Sequence, residues 1–285
     1  MQKILSIIFV AIFITACVSK AKTQPKLFDQ VYVLSLDRTP ERYKEAKENL
    51  DSAKLPHTRI SAVDGYAIKV KDKITGKVMD AKEAFLICNP KKYQPEKFSY
   101  EVTCDSDPRS KITSETCLSP GELGVYCSMR KIWHDMLDHD YKKVLILEDD
   151  SRIQKAEIKT FKQQASAVIE NTPVDWDVIF FHMYHSWRKV YPARKIGTNL
   201  ENEYVWGINR DPKRGVASCA AYVVNREFAK KMLKYTETIY LPIDVQISNA
   251  IIESLITGYY TKKKIIIPDE AGANSVIQSM GRKND

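Results

Sequence analysis

Glycine and proline are scarce in this 285-residue chain, at 10 and 12 residues, which excludes collagenous and low-complexity architectures. Cysteine numbers six, too sparse for a small disulfide-stapled domain, and no pair has the C-x-x-C spacing of a zinc or redox site. Internal repeats are lacking, as is any basic run interleaved with aromatics of the kind that grips nucleic acid. The apolar run at the amino terminus, residues 4–16, is shorter than the ~20 residues a membrane-spanning helix needs. What is present is an ordinary globular composition, 44% hydrophobic and 28% charged, with 44 Lys plus Arg against 36 Asp plus Glu. The formal charge of +8 and pI near 9.0 suit an anionic partner such as a nucleotide, an acidic glycan or a membrane surface, and equally a solvated lysine coat.

The amino-terminal run follows Lys3 and ends Ile14-Thr15-Ala16-Cys17, with the length of a signal-peptide core. These last four residues resemble a bacterial lipoprotein signal, in which cleavage leaves Cys17 lipid-modified at the new amino terminus. An ordinary cleaved signal, or a buried helix with a chance cysteine, is the alternative. The expected organisation is a signal peptide over 1–16, a tether over 17–28 whose lysines favour anionic lipid, and one domain over 29–285. With Cys17 set aside five cysteines remain, so at least one stays unpaired. Cys104 and Cys117 bracket a polar loop and could bridge in an oxidising compartment, while Cys127 and Cys219 read as buried core thiols.

Val31 to Leu36 is a buried-strand run that delivers Asp37-Arg38 to its end, and Thr39-Pro40-Glu41 reads as a capped helix start. A second strand is expected over Thr58 to Val63, ending at Asp64-Gly65. Residues 66–116 read as an insertion: a hairpin about Thr75-Gly76, with turns at Asn89-Pro90 and Asp107-Pro108. Ser119 and Glu122 form a capping box with Pro120 at the first helical position, opening a helix of about five turns. Val144-Leu145-Ile146-Leu147 is a central-strand run that stops at Glu148-Asp149-Asp150. Further helices are expected near 156–170, from Arg226 and over 242–255, and further strands over 176–182, 220–224 and 264–267. This alternation implies an α/β layer fold with a mostly parallel central sheet flanked by helices.

In such sheets ligands collect at the carboxyl ends of the strands. Glu148 and Asp150 are two residues apart, so a continuing strand would point both to one side, where they could share a Mg²⁺ or Mn²⁺ ion and a sugar nucleotide. An exposed acidic turn is the competing reading.

Several segments then occur in an order that resembles glycosyltransferase family 25, which includes lipooligosaccharide and collagen galactosyltransferases. They are Val31-Tyr32-Val33-Leu34-Ser35-Leu36-Asp37-Arg38 with Glu41-Arg42, Ser61-Ala62-Val63-Asp64-Gly65, Leu118-Ser119-Pro120-Gly121-Glu122-Leu123-Gly124 with Ser128, and Val144 to Asp150. Tyr222-Val223-Val224 and Leu241-Pro242-Ile243-Asp244 match two later landmarks. The resemblance implies a GT-A-like single domain, a UDP-sugar donor, a Mn²⁺ or Mg²⁺ ion, a glycan or glycolipid acceptor and inversion at the transferred hexose. It implies Asp150 and Glu148 as metal ligands, with Glu148 and Asp149 orienting ribose, sugar or metal-bound water. Asp37, Arg38, Arg42, Asp64 and Gly65 would line the nucleotide pocket, although Arg42 also reads as a solvated helix residue and Gly65 as a turn residue with positive φ. Asp244 would be the base, or else an amino-terminal helix cap. The chain has Met129 after Ser128 where the family commonly has histidine, and His182 and His185 read as loop residues. A membrane-associated transferase is therefore expected, exported as a lipoprotein or held on the cytoplasmic face. A lipoprotein whose inactive scaffold binds glycan or nucleotide is the second reading.

Overall fold

The β-branched runs found in the sequence become neighbours in one sheet. A computed structural model describes residues 26–88, 99–105, 107–182, 205–208 and 218–269. The expected signal segment with Cys17, most of the tether, the Asn89-Pro90 turn and His185 lie outside the described residues. The central sheet has seven strands in the order β10 (Val205–Gly207), β13 (Gly258–Thr261), β9 (Val178–Phe180), β11 (Ala221–Asn225), β7 (Lys143–Glu148), β1 (Gln30–Ser35), β2 (Thr58–Ser61). Strands β2, β1, β7, β9 and β13 run one way, while β11 and β10 run antiparallel to their neighbours. The sheet is thus mixed: half of its six pairings are antiparallel, two because β11 enters between β7 and β9 from the opposite end and the third because β10 reverses at the edge.

Helices cover both faces. Val31 and Val33 of β1 pack on one face with Ala46 and Leu50 of α1 (Pro40–Ser52) and Phe161, Ala165 and Val168 of α4 (Phe161–Glu170). Tyr32 and Leu34 point the other way, toward α3 (Pro120–Asp138), α5 (Arg226–Tyr235) and α6 (Ile243–Ile252). This two-faced burial is why the strands read as continuous apolar runs. Trp133 of α3, fully buried, meets Phe228 of α5 edge to face at 5.4 Å.

The segment read as a polar insertion carries more structure than a hairpin. β3 (Lys69–Asp72) and β4 (Val78–Asp80) form the expected hairpin, followed by α2 (Ala81–Cys88). They join β5 (Tyr100–Thr103), β6 (Lys111–Ser114) and the distant β12 (Thr238–Ile239) in a five-stranded sheet. Val70, Met79, Tyr100, Val102 and Ile112 enter the main core, a contribution masked in the sequence by exposed lysines on alternate positions. Cys88 bridges Cys117 and Cys104 bridges Cys127, so the expected Cys104–Cys117 pair is not formed and Cys127 is no free core thiol. Cys219 is the buried free cysteine among the described residues. A short two-stranded sheet pairs β8 (Ser151–Ile153) with β14 (Ile266–Pro268).

The capping box of α3 forms as read, Ser119 accepting from the Glu122 N–H while the Glu122 carboxylate accepts from the Ser119 N–H. Thr39 stands at the N-cap of α1, but its hydroxyl makes no capping bond. α3 is seated by an unusually close approach. A Cβ on Gly65 would lie 1.6 Å from the Pro120 carbonyl oxygen, and one on Gly124 would lie 2.7 Å from the Val63 oxygen. Gly65 is therefore required by backbone contact and not by positive φ, which among the described glycines occurs at Gly76. Ser128 locks the contact: its Oγ accepts from the Val63 N–H at 2.8 Å and donates to the Gly124 carbonyl at 2.7 Å.

Gly65→Ala should cost about 3 kcal/mol or more, because neither backbone can yield without moving α3. Gly76→Ala, at φ +72 with open space around it, should cost only about 1–2 kcal/mol of local strain. Urea unfolding of both variants checks this, and equal losses would contradict the packing role of Gly65.

Candidate active site

Since β1, β2 and β7 are parallel neighbours, their carboxyl ends open on one edge of the sheet, with Leu34 beside Glu148 and Ser35 beside Ser61. The following loops carry Asp37-Arg38, Asp64-Gly65 and Asp149-Asp150 to that edge. Asp244, in the first turn of α6, completes the group, its charge reaching Glu148. The cap of α6 is Pro242, so Asp244 is not the helix cap.

β7 stops at Glu148 and the chain turns through Asp149-Asp150 before β8, so the alternation that would set Glu148 and Asp150 on one side of a continuing strand does not apply. The turn instead brings both aspartates to Arg42, whose Nη2 lies 2.6 Å from Asp149 Oδ1 and 3.0 Å from Asp150 Oδ2. Arg42 is thus a partner of the acidic turn and not a merely solvated helix residue.

Other residues brace the turn. Ser151 Oγ donates to the Ala220 carbonyl at 2.6 Å, and the Asp269 N–H donates to the Asp150 carbonyl at 2.6 Å. Arg152 Nη1 donates to the Asp149 carbonyl at 2.7 Å, while its Nη2 pairs with Glu45 at 3.1 Å and Asp269 at 3.3 Å. Sequence reasoning missed Arg152 and Asp269; position next to the acidic run was the only signal for the first, and the second lies over a hundred residues away.

Burial decides the electrostatics. It raises the Glu148 pKa to about 8, with the charges of Asp150, Asp149 and Asp244 adding to the effect and Arg42 opposing it. Asp149 is also raised by burial, which outweighs Arg42, and Asp244 by burial with Glu122 adding to it. The Cys219 thiol is pushed well up by burial and by the nearby Asp244 and Glu148 charges, which keeps it an unreactive neighbour of the site.

The donor set fits a hard divalent cation. Asp150 Oδ1 is buried and has no hydrogen-bond partner, an acceptor left open beside two further carboxylates. Among the described residues no three His, Cys, Asp or Glu side chains converge as a self-sufficient metal cage. A Mg²⁺-type ion that keeps water and phosphate oxygens needs only one or two protein carboxylates, which Asp150 and Glu148 can supply.

The other expected pocket residues lie at the open rim. Asp37, its side chain 70% exposed, accepts from Arg59 at 2.6 Å and Ser61 at 2.7 Å, and these two bonds hold its pKa down. Arg38 pairs with Asp64 at 3.1 Å, and Asp64 also accepts from the Tyr66 N–H. Arg59, which binds both Asp37 and the Ser35 carbonyl, is a rim residue the sequence reading did not single out. His182 is buried at the end of β9.

The family model described as Glycosyltransferase family 25 (LPS biosynthesis protein) matches residues 28–247. A glycosyltransferase 25 family member of Anopheles gambiae is 26% identical over 207 residues, 72% of this chain and 28% of that protein. Human procollagen galactosyltransferase 2 is 22% identical over 157 residues, 54% of this chain and 20% of its own length. Human inactive glycosyltransferase 25 family member 3 is 24% identical over 156 residues, 54% of this chain and 21% of its length. The chain spans about a fifth to a quarter of the length of the curated relatives it matches first.

Without a cation, Glu148 retains its proton up to about pH 8 in the folded chain, against 4.5 when unfolded. Its contribution to stability is therefore complete below about pH 4.5 and is lost as pH rises toward 8. At pH 8.5 in the presence of a chelator, Glu148→Gln should be more stable than wild type by about 1–3 kcal/mol, the gap closing by about pH 5. Urea denaturation at both pH values reads it, and a pH-independent difference would remove the buried-charge account.

Proposed function

The chain belongs to glycosyltransferase family 25, and from that premise we propose that it is an inverting, cation-dependent transferase moving a hexose from a UDP-sugar to a hydroxyl of a glycan acceptor. The observation that carries the proposal is the open, buried Oδ1 of Asp150 beside Glu148 and Asp149, where parallel strands end. Galactose is the favoured hexose because matched relatives are named procollagen galactosyltransferases, and lipopolysaccharide-type glycan the favoured acceptor because the family description names its biosynthesis. A GT-A arrangement is consistent with the run of parallel strands β2, β1 and β7.

On this reading Asp150 and Glu148 would hold Mn²⁺ or Mg²⁺, which when bound stabilises the charge of the departing diphosphate. Asp37, Arg38 and Asp64 would form the nucleotide side of the site, Gly65 being buried against the Pro120 backbone and so unable to line it, and Asp149 would help to orient ribose or sugar. Asp244 accepts the proton of the acceptor hydroxyl as that oxygen bonds to the anomeric carbon and the bond to the UDP oxygen breaks. Burial, by raising the Asp244 pKa, makes it a stronger base than a solvated aspartate. Gly65 and Ser128 act indirectly, by fixing the loop after β2 against α3.

The proposal places the protein at a membrane through lipid on Cys17. Two disulfides among the described residues fit an oxidising compartment, which supports the exported location over the cytoplasmic face. Export would separate the enzyme from cytoplasmic nucleotide sugars, and some relatives carry the name inactive. Those two points favour the second reading, an inactive scaffold that binds glycan or nucleotide.

UDP release from a panel of UDP-sugars, with Mn²⁺ and lipooligosaccharide, separates the two. Asp150→Ala and Asp244→Asn should each lower turnover by about 10²-fold or more while the protein stays folded. Wild-type protein that binds UDP but releases none from any donor would establish the scaffold reading instead.

A further inference from the structure

We propose that Arg42 is a displaceable counter-ion that couples binding of the divalent cation to binding of the diphosphate, an inference that rests on the donor and cation reading above. One guanidinium nitrogen spans both aspartates of the turn, 2.6 Å from Asp149 and 3.0 Å from Asp150. The remaining Asp150 oxygen is buried and unpartnered. Arg42 thereby neutralises the side of the turn where an ion would enter.

Two features make this contact one that can be given up. Arg42 is the third residue of α1, where the helix dipole disfavours a positive side chain, so the carboxylates hold it there and the helix does not. Its side chain is 26% exposed while that of Asp149 is 9% exposed, so of the two partners Arg42 is the one with access to solvent.

A divalent cation on Asp150 Oδ1 would meet the guanidinium at close range, and the two positive charges would compete for the same carboxylate. A cation arriving alone must therefore displace Arg42 with nothing to receive it. A diphosphate supplies the missing partner, since a planar guanidinium matches paired phosphate oxygens. Each ligand then assists the other, and by linkage the assistance is equal in both directions.

The test is Mn²⁺ titration of the purified chain, following free Mn²⁺ by electron paramagnetic resonance with and without UDP. In wild type UDP should tighten Mn²⁺ about tenfold or more, and Mn²⁺ should tighten UDP by the same factor. In Arg42→Gln, Mn²⁺ alone should bind about fivefold tighter than in wild type, and the UDP effect should fall below about threefold. Arg42→Lys keeps a charge against the acidic turn and guards against loss of the fold. It should leave Mn²⁺ alone within about twofold of wild type yet still reduce the coupling, since an ammonium lacks the fork. Unchanged Mn²⁺ affinity in Arg42→Gln, or coupling retained in full by both variants, overturns the role of Arg42 while leaving the transferase reading intact. Failure of the wild-type chain to bind Mn²⁺ even with UDP is a different result, and overturns that reading and this inference together.

Discussion

Three carboxylates, those of Asp149, Asp150 and Asp244, lie within electrostatic reach of a fourth, Glu148, at the end of a buried strand. Their repulsion, sharpened by burial, is the constraint around which the neighbouring structure is arranged. Arg42 comes across from α1, Arg152 ties the backbone of the turn to Glu45 and Asp269, and Ser151 fastens it to Ala220 at the start of β11. None of these bonds involves Glu148, whose charge is relieved by holding its proton. The cluster is thus only partly compensated, and the shortfall is located at the oxygen atoms that a cation would occupy.

A second constraint fixes where that cluster faces. Gly65 and Gly124 let the loop after β2 touch the first turns of α3, and Ser128 satisfies the Val63 N–H that the contact would otherwise bury unpaired. The Cys104–Cys127 bridge ties the same stretch of α3 to the second sheet. Gln246 of α6, buried and bonded to Tyr126 of α3 and to the Tyr235 and Thr238 carbonyls, holds the helix that carries Asp244. α3 therefore sets the distance between the rim residues on one side and Asp244 on the other, although it contributes no expected site residue of its own.

These layers were legible in the sequence to different degrees. The strand runs of β1 and β7 were readable because burial on both faces leaves their middles apolar until they end, whereas β2, half-exposed at the sheet edge, carries polar residues. The capping box at Ser119 and Glu122 was readable because both its bonds lie within four residues. The directions of β11 and β10 were not, since a buried antiparallel strand has the same composition as a parallel one, and the mixed sheet follows from those two reversals. The second sheet was hidden for a related reason: β12 comes from residues 238–239, and no local pattern announces a partner so distant. Cysteine pairing failed in the same way, because loop spacing suggested Cys104 with Cys117 while the geometry pairs each with a residue brought near by the fold of α2 and α3. Among the candidate site residues, the acidic run was suggested by its place at a strand end and then by resemblance, and Arg42 and Asp244 by resemblance alone. The pairing of Arg42 with both aspartates was visible only once β7 was seen to stop at Glu148.

The same electrostatics bears on whether the scaffold is active or silent. A carboxylate whose pKa burial has raised lowers stability above its unfolded pKa, so a chain needing only the fold would gain by replacing Glu148 with a neutral residue of like shape. This chain keeps Glu148, keeps Asp149, Asp150 and Asp244 beside it, and sets only one arginine directly against the two aspartates of the turn. Binding a sugar nucleotide alone does not call for that excess, because three acids at the turn repel a diphosphate unless a cation stands between them. Acids gathered at one edge of an otherwise basic protein would repel a diphosphate unless a cation stood between them, and the proposed metal-assisted transfer rests on that physical feature.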